Sequence, residues 1–336
     1  MTTVGSQGVT AVVVALGDSP RLEGFVDALM PEIASGLQVV IVVVGTDSVP
    51  ACAARAGVRV VPSPMNVGWA GACHLGRLYA TAPVLWFLQD DMRVPAGTAR
   101  RLHSHLVADP ELQAVRPVVT DEAGMVPAGS CGSYRTADGG VAALIPQDDV
   151  PADQFVPPPD QPYLPSSGLM LRAAAWDALG GFNPWLYPIS FCDIELGGAM
   201  RRAGMRFKLA TDARVLHAGR GSTPTPLGRF SAERNAIIYS AIEGDRDVDA
   251  PPSPLVAAHI VEAAVAYRGK PRPAVTAESI VAISGLCAGD ALQHFARWQA
   301  SGFDQMLAEY QLVCDARDWW REQAAAWERA AKDALG

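Results

Sequence analysis

A basic surplus is the first thing missing from this 336-residue chain: 27 Lys and Arg stand against 35 Asp and Glu, a formal charge of -8. A nucleic-acid binder usually carries a basic face or stripe, so nucleic acid is not an expected partner. Paired cysteines are missing too. The six, at positions 52, 73, 131, 192, 287 and 314, form no CxxC pair, which leaves neither a zinc site nor a disulfide framework to read and suits a reducing compartment. No run reaches the roughly 18 apolar residues of a membrane span, and the first ten residues lack the basic start and apolar core of a signal peptide. The expected location is the cytoplasm, with any membrane contact peripheral and at the inner face. No GxGxxG follows the first strand-like run, which speaks against a dinucleotide-binding dehydrogenase. Apolar residues, by contrast, make up 49% of the chain. They are ample for one large α/β domain plus a smaller appendage.

The chain is organised around Val84-Leu85-Trp86-Phe87-Leu88-Gln89-Asp90-Asp91-Met92, an apolar run that ends abruptly in two carboxylates. Bounded by Pro83 and Pro95, it reads as a buried parallel strand. Ligands of open α/β sheets sit beyond the carboxyl ends of such strands, where adjacent aspartates repel one another unless a cation lies between them. Hard divalent cations favour oxygen ligands and bridge one or two carboxylates to substrate phosphates. Asp90 and Asp91 are thus candidates for a metal and diphosphate site, although a capping Asp91 beside a solvated Asp90 accounts for the same residue types.

Upstream, Val9 to Leu16, Leu37 to Val44 and Val58 to Val61 read as strands, with a helical pattern through Leu22, Phe25, Val26 and Leu29 after the first. This is the start of a doubly wound sheet. Asn66-Val67-Gly68-Trp69-Ala70-Gly71-Ala72-Cys73-His74-Leu75-Gly76 is a glycine-rich loop running into a helix, whose free N–H groups favour an anion. Asn66 and Gly68 are its candidates for ligand contact; Gly71 and Gly76 suit close packing. A helix is expected from Pro95 to Leu106, and its His103 and His105, two apart, point to different faces and take no metal role. Ala114 to Thr120 reads as a strand, and residues 121 to 165, rich in Pro, Gly and Asp, as a long irregular excursion.

Order returns at Ser166 to Arg172, a strand, followed by a helix that Gly180-Gly181-Phe182-Asn183 closes. Asp193 sits at the start of a further helix ending at Gly204, where the helix amino end would lower its pKa; an N-cap role would also explain it. Phe207 to Leu209 and Arg214 to His217 read as two short strands, with Arg220 just beyond, an arginine suited either to meeting a phosphate or to simple solvation in a glycine loop. Beyond Pro226 the chain turns Ala-rich and helical in period. Trp298, Trp319, Trp320 and Trp327 there suit helix packing, a homodimer or peripheral membrane contact.

Taken together, these motifs resemble a family 2 glycosyltransferase of the GT-A fold, of the kind that includes bacterial rhamnosyl- and galactofuranosyltransferases. The resemblance covers residues 9 to about 240 and rests on the order of its parts. Asn66 to Ala72 resembles the family's N-x-G-aromatic-A-G-A segment, and Leu88-Gln89-Asp90-Asp91 its metal-binding D-x-D strand end. Gly180 to Asn183 resembles G-G-F-D, Phe191-Cys192-Asp193-Ile194-Glu195-Leu196 resembles E-D-x-D-L, and Arg234-Asn235 resembles a later R-N. The resemblance implies a Rossmann-like, mostly parallel sheet flanked by helices over residues 1–226 and a helical C-terminal region over 227–336. It implies inverting transfer from a nucleotide diphosphate sugar donor to a glycan, lipid-linked or small-molecule acceptor, with Asp193 as base and Mn2+ or Mg2+ on Asp91 and His217. Asp90 and Arg220 would assist at the diphosphate. Gly45 stands where the family has a nucleobase-binding Asp, so Asp47 would substitute; Gln89 replaces the first Asp of D-x-D, and Cys192 and Glu195 replace two acids beside the base. These departures leave a second reading open, a nucleotide-sugar-binding or scaffolding subunit without turnover.

Overall fold

The computed structural model describes residues 8–135, 141–183, 186–187 and 189–217 and, further on, 231–232, 235–236, 238–239, 276, 280 and 285. In chain order the elements are β1 (Val9–Leu16), α1 (Leu22–Ala34), β2 (Gln38–Val44), β3 (Val58–Ser63), α2 (Gly68–Tyr79), β4 (Val84–Gln89), β5 (Met92–Arg93), α3 (Thr98–Ala108), β6 (Leu112–Thr120), β7 (Met125–Val126), β8 (Ser133–Arg135), β9 (Val141–Leu144), β10 (Val150–Pro151), β11 (Met170–Arg172), α4 (Ala173–Leu179), α5 (Cys192–Arg202) and β12 (Arg206–His217). The β-branched runs of β1 and β2 are buried nearly throughout, as parallel strands covered on both faces must be.

Eight strands form one mixed, mostly parallel sheet in the order β3-β2-β1-β4-β11-β6-β12-β5. β1 to β4 run parallel, as do β6 and β12, whereas β11 is antiparallel to both its neighbours and β5 is antiparallel to β12. Strand alternation divides the core. Leu85 and Phe87 of β4 pack with Trp176 and Phe182, while Val84, Trp86 and Leu88 join Phe25 of α1 and Leu102 of α3. Gly76 lets α2 lie against β1, since a Cβ there would stand 2.2 Å from Val12 Cγ1.

Two features of this topology position the site. The chain adds β2 and β3 on one side of β1 and then returns through α2 to add β4 on the other, so the strand order reverses between β1 and β4. The crevice beyond a reversal of this kind is where open α/β sheets bind ligands. The second feature is a curl. β5 begins three residues after β4 ends, a reach of at most about 11 Å, yet it pairs with β12 at the far edge. The far edge must therefore bend back over the end of β4. A register shift in β12 between Ala210 and Arg214 gives the strand freedom to do so.

Two expectations change. Residues 206 to 217 form one irregular strand rather than two separate ones, because β6 pairs with both parts across that shift. The excursion from 121 to 165 is not wholly irregular: β7 pairs with β10 and β8 with β9, making two small ribbons outside the main sheet. Of the expected helical C-terminal region, Ile238 and Tyr239 join the cluster around α4 and α5, and Ile280 packs with Val42, Val44 and Leu75. The four tail tryptophans lie outside the described residues. Among the described residues, no helix is long and apolar enough to cross a membrane.

Candidate active site

Beyond β4 the chain makes the tight step Asp90-Asp91 into β5, and β5 pairs with the end of β12 so that His217 lies opposite Met92. Register alone therefore brings His217 to Asp91. His217 Nε2 stands 3.1 Å from Asp91 Oδ1, with both side chains largely buried. Burial works against a charged Asp91, but the hydrogen bond and charge of His217, aided by Arg21, outweigh it and hold the carboxyl below its ordinary range. Asp90 goes the other way. It is buried beside the loop after β1, and desolvation raises its pKa although Ser19 hydrogen-bonds to it and Arg21 faces it. Its Oδ2 has no hydrogen-bond partner.

These groups suit a hard cation. Asp91 Oδ1 and His217 Nε2, 3.1 Å apart, are the pair that would hold it. The buried Oδ2 of Asp90, the neighbouring residue, has no hydrogen-bond partner and is a hard oxygen donor. Among the described residues no three His, Cys, Asp or Glu gather tightly enough to enclose an ion by themselves. A cation here would complete its shell with water and substrate phosphates, as Mg2+ commonly does.

Asp193 is the second residue of α5. Its Oδ2 accepts the backbone N–H of Ser166 at 3.1 Å and its Oδ1 that of Ile194 at 2.9 Å. The carboxylate is half-buried, and its pKa is raised, not lowered as its helix position suggested: burial outweighs the two amides and the more distant Arg116. It is not the helix N-cap; Phe191 holds that place. The next residue along the loop, Ser167, donates its hydroxyl to Gln89 Oε1 at 3.3 Å. One dipeptide thus touches Asp193 with one residue and, with the other, the residue preceding Asp90 and Asp91. The two acidic regions are linked through this dipeptide.

Asn66 Oδ1 accepts the N–H of Gly68 at 2.9 Å and shapes the turn into α2, where Gly68 has φ +69°. Asp47 is exposed on the loop after β2, at the same carboxyl edge of the sheet. Gly45, where the resemblance expects an Asp, has φ +81°, a conformation that favours glycine. Arg220 lies outside the described residues. His105 pairs with Asp212 at 2.7 Å, and His74 Nε2 meets the Phe182 carbonyl at 2.7 Å under Trp176; both are structural. An apolar cavity of about 420 Å3 between the β8–β9 ribbon and residues 145–158 is lined by none of these acids.

Sequence reasoning missed Arg116, Ser19, Arg21 and the Ser166-Ser167 link. Arg116 is fully buried on β6; its Nε donates to the Ser167 carbonyl at 3.0 Å and its Nη1 has no hydrogen-bond partner. Desolvation lowers its pKa, while nearby Cys131, Asp193 and Tyr163 favour its charge. A signal existed: an arginine within Leu112–Thr120, an otherwise apolar strand, is rarely buried without an acid to meet.

No protein-family model matches the chain, and no curated protein matches it. Solved structures do. The crystal structure of GalNAc-T7 with UDP, GalNAc and Mn2+ superposes with a TM-score of 0.50 at 14% identity, covering 70% of this chain and 48% of that one. The mannosyltransferase PcManGT from Pyrobaculum calidifontis in complex with GDP-Man and Mn2+ gives 0.47 at 18%, covering 94% and 84%. S. aureus TarS 1-349 gives 0.48 at 12%, covering 72% and 67%. The chain spans about half the length of the GalNAc-T7 structure it matches. At such identities the likeness is one of fold: a mixed α/β sheet of the GT-A type.

Proposed function

We propose that the chain is a metal-dependent, inverting glycosyltransferase that moves a sugar from a nucleotide diphosphate sugar to an acceptor hydroxyl on a glycan, a lipid-linked or a small molecule. The observation that carries this reading is the Asp91–His217 pair at the strand-order reversal, joined to Asp193 through Ser166 and Ser167. Asp193, raised where Asp91 is lowered, is a stronger base than Asp91. It takes the proton of the acceptor hydroxyl while that oxygen bonds to the anomeric carbon from the face opposite the diphosphate. The bond to the diphosphate oxygen breaks and its electron pair leaves with the nucleoside diphosphate, so the anomeric configuration inverts. Asp91 and His217, with Asp90 beside them, would hold Mn2+ or Mg2+, which supplies charge neutralisation to the departing diphosphate. Arg21 faces the same acids from the loop after β1.

The test is release of nucleoside diphosphate from a panel of UDP- and GDP-sugars with Mn2+ or Mg2+. Asp193→Asn should lose it and the exposed Glu111→Gln should keep it; equal rates would remove Asp193 as base. A second reading, donor binding without turnover, draws support from Gln89, whose amide oxygen is taken by Ser167. Calorimetry showing metal-dependent UDP or GDP binding, with no release from any sugar, would favour it.

A further inference from the structure

Two residues just before α5 hold a conformation that L-amino acids avoid. Ser190 has φ +79° and Phe191 φ +67°, and they are the only non-glycine residues with positive φ among the described residues. Such residues persist only where their surroundings over-determine them, and they gather at functional sites. These two turn the chain into α5, whose second residue is Asp193. What over-determines them comes from far along the sequence. The side chain of Asn235, fully buried, shares the two N–H groups of Nδ2 among the carbonyls of Leu186 at 3.0 Å, Ile189 at 2.8 Å and Ser190 at 3.1 Å, one of them bifurcated. One amide thereby gathers three carbonyls of the incoming loop. Tyr239, at helical spacing from Asn235, packs its ring 5.6 Å from that of Phe191, and the Arg135 guanidinium lies 5.0 Å over the Phe191 ring.

We propose that Asn235 is a positioning residue for Asp193: its amide locks Ser190 and Phe191 in the left-handed turn that aims the carboxylate at the Ser166 amide. This rests on the reading of Asp193 as base. The Asn235 amide touches no reacting atom; it fixes where α5 begins. A misplacement of about 1 Å in a reacting group costs up to roughly 100-fold in rate, so a loose turn would register in turnover before donor binding.

The experiment measures nucleoside diphosphate release from the best of a panel of UDP- and GDP-sugars with Mn2+, alongside UDP and GDP binding by calorimetry. Asn235→Ala should lower kcat about 10- to 100-fold with donor KM and nucleotide Kd within about twofold. Ser190→Gly in the same chain should recover at least about fivefold of that loss, because glycine adopts positive φ without penalty. Should Asn235→Ala not fold, Asn235→Ser, which keeps one donor, carries the same test with a smaller loss of about 3- to 10-fold. Unchanged kcat, or kcat and donor affinity falling together without recovery by Ser190→Gly, would overturn the proposal. Asp193→Asn is assayed in parallel. If it is inactive while Asn235→Ala keeps full kcat, only the positioning role fails; if it turns over normally, the base reading fails and the positioning role with it.

Discussion

Asp91 and Asp193 stand on different kinds of scaffold, and burial presses on both in the same direction. Their outcomes are opposite. Asp91, at a strand end, meets an imidazole that the neighbouring strand delivers, and its carboxyl stays below the ordinary range. Asp193, at a helix start, meets only two backbone amides and a more distant guanidinium, and its carboxyl is raised. The hydrogen bond and electrostatic pull of a side chain at contact distance overcome desolvation at Asp91, whereas two peptide dipoles do not at Asp193. One acid is thereby suited to staying charged beside a cation and the other to accepting a proton.

Removing either acid should break this contrast in its own way. The largest effect belongs to Asp193→Asn, which should lower kcat by about 100- to 10,000-fold while leaving nucleotide binding intact. Calorimetry separates the two quantities. His217→Ala should act on the other half, weakening Mn2+-dependent UDP or GDP binding at least about 10-fold, and a chelator should weaken binding in the natural chain while leaving the variant little changed. The contrast sharpens in the pH profile. A base works ionised, so activity fails as pH falls through its pKa, and the acid limb of kcat/KM should lie above the ordinary Asp value of about 3.9; a limb at or below that value would contradict the raised pKa. Gly76→Ala tests the shared scaffold instead, costing about 1–3 kcal/mol in chemical denaturation because the new methyl meets Val12. Smallest is Arg55→Ala, which removes half-exposed pairs with Glu23 and Asp27 and should cost no more than about 1 kcal/mol.

The strands of the parallel half were legible in the sequence because β1 and β2 are buried β-branched runs and β4 a buried apolar run, a signal local to the strand; β3, only partly buried, shows it more weakly. So was the proximity of Asp91 and His217, though only through the order of motifs; no spacing along the chain states that β5 folds onto β12. The direction of the Asp193 pKa was misread because a helix start is visible in sequence and burial is not. Arg116 and the Ser166-Ser167 link escaped because each acts through partners 27 to 78 residues away. Arg234-Asn235 was noticed as a motif without a purpose. The bonds of Asn235 to carbonyls 45 to 49 residues upstream give its second residue one.

The two ribbons within residues 121–165 pair β7 with β10 and β8 with β9 and contribute no strand to the main sheet, while Val126, Cys131, Ile145, Phe155 and Tyr163 anchor the segment in the core. A segment wired in this way is held from beneath and free only on its outer side. Its outer surface can be exchanged between variants of the same framework while the strand ends that carry Asp90, Asp91 and His217 keep their register, which makes it the natural place to graft new recognition without rebuilding the machinery underneath.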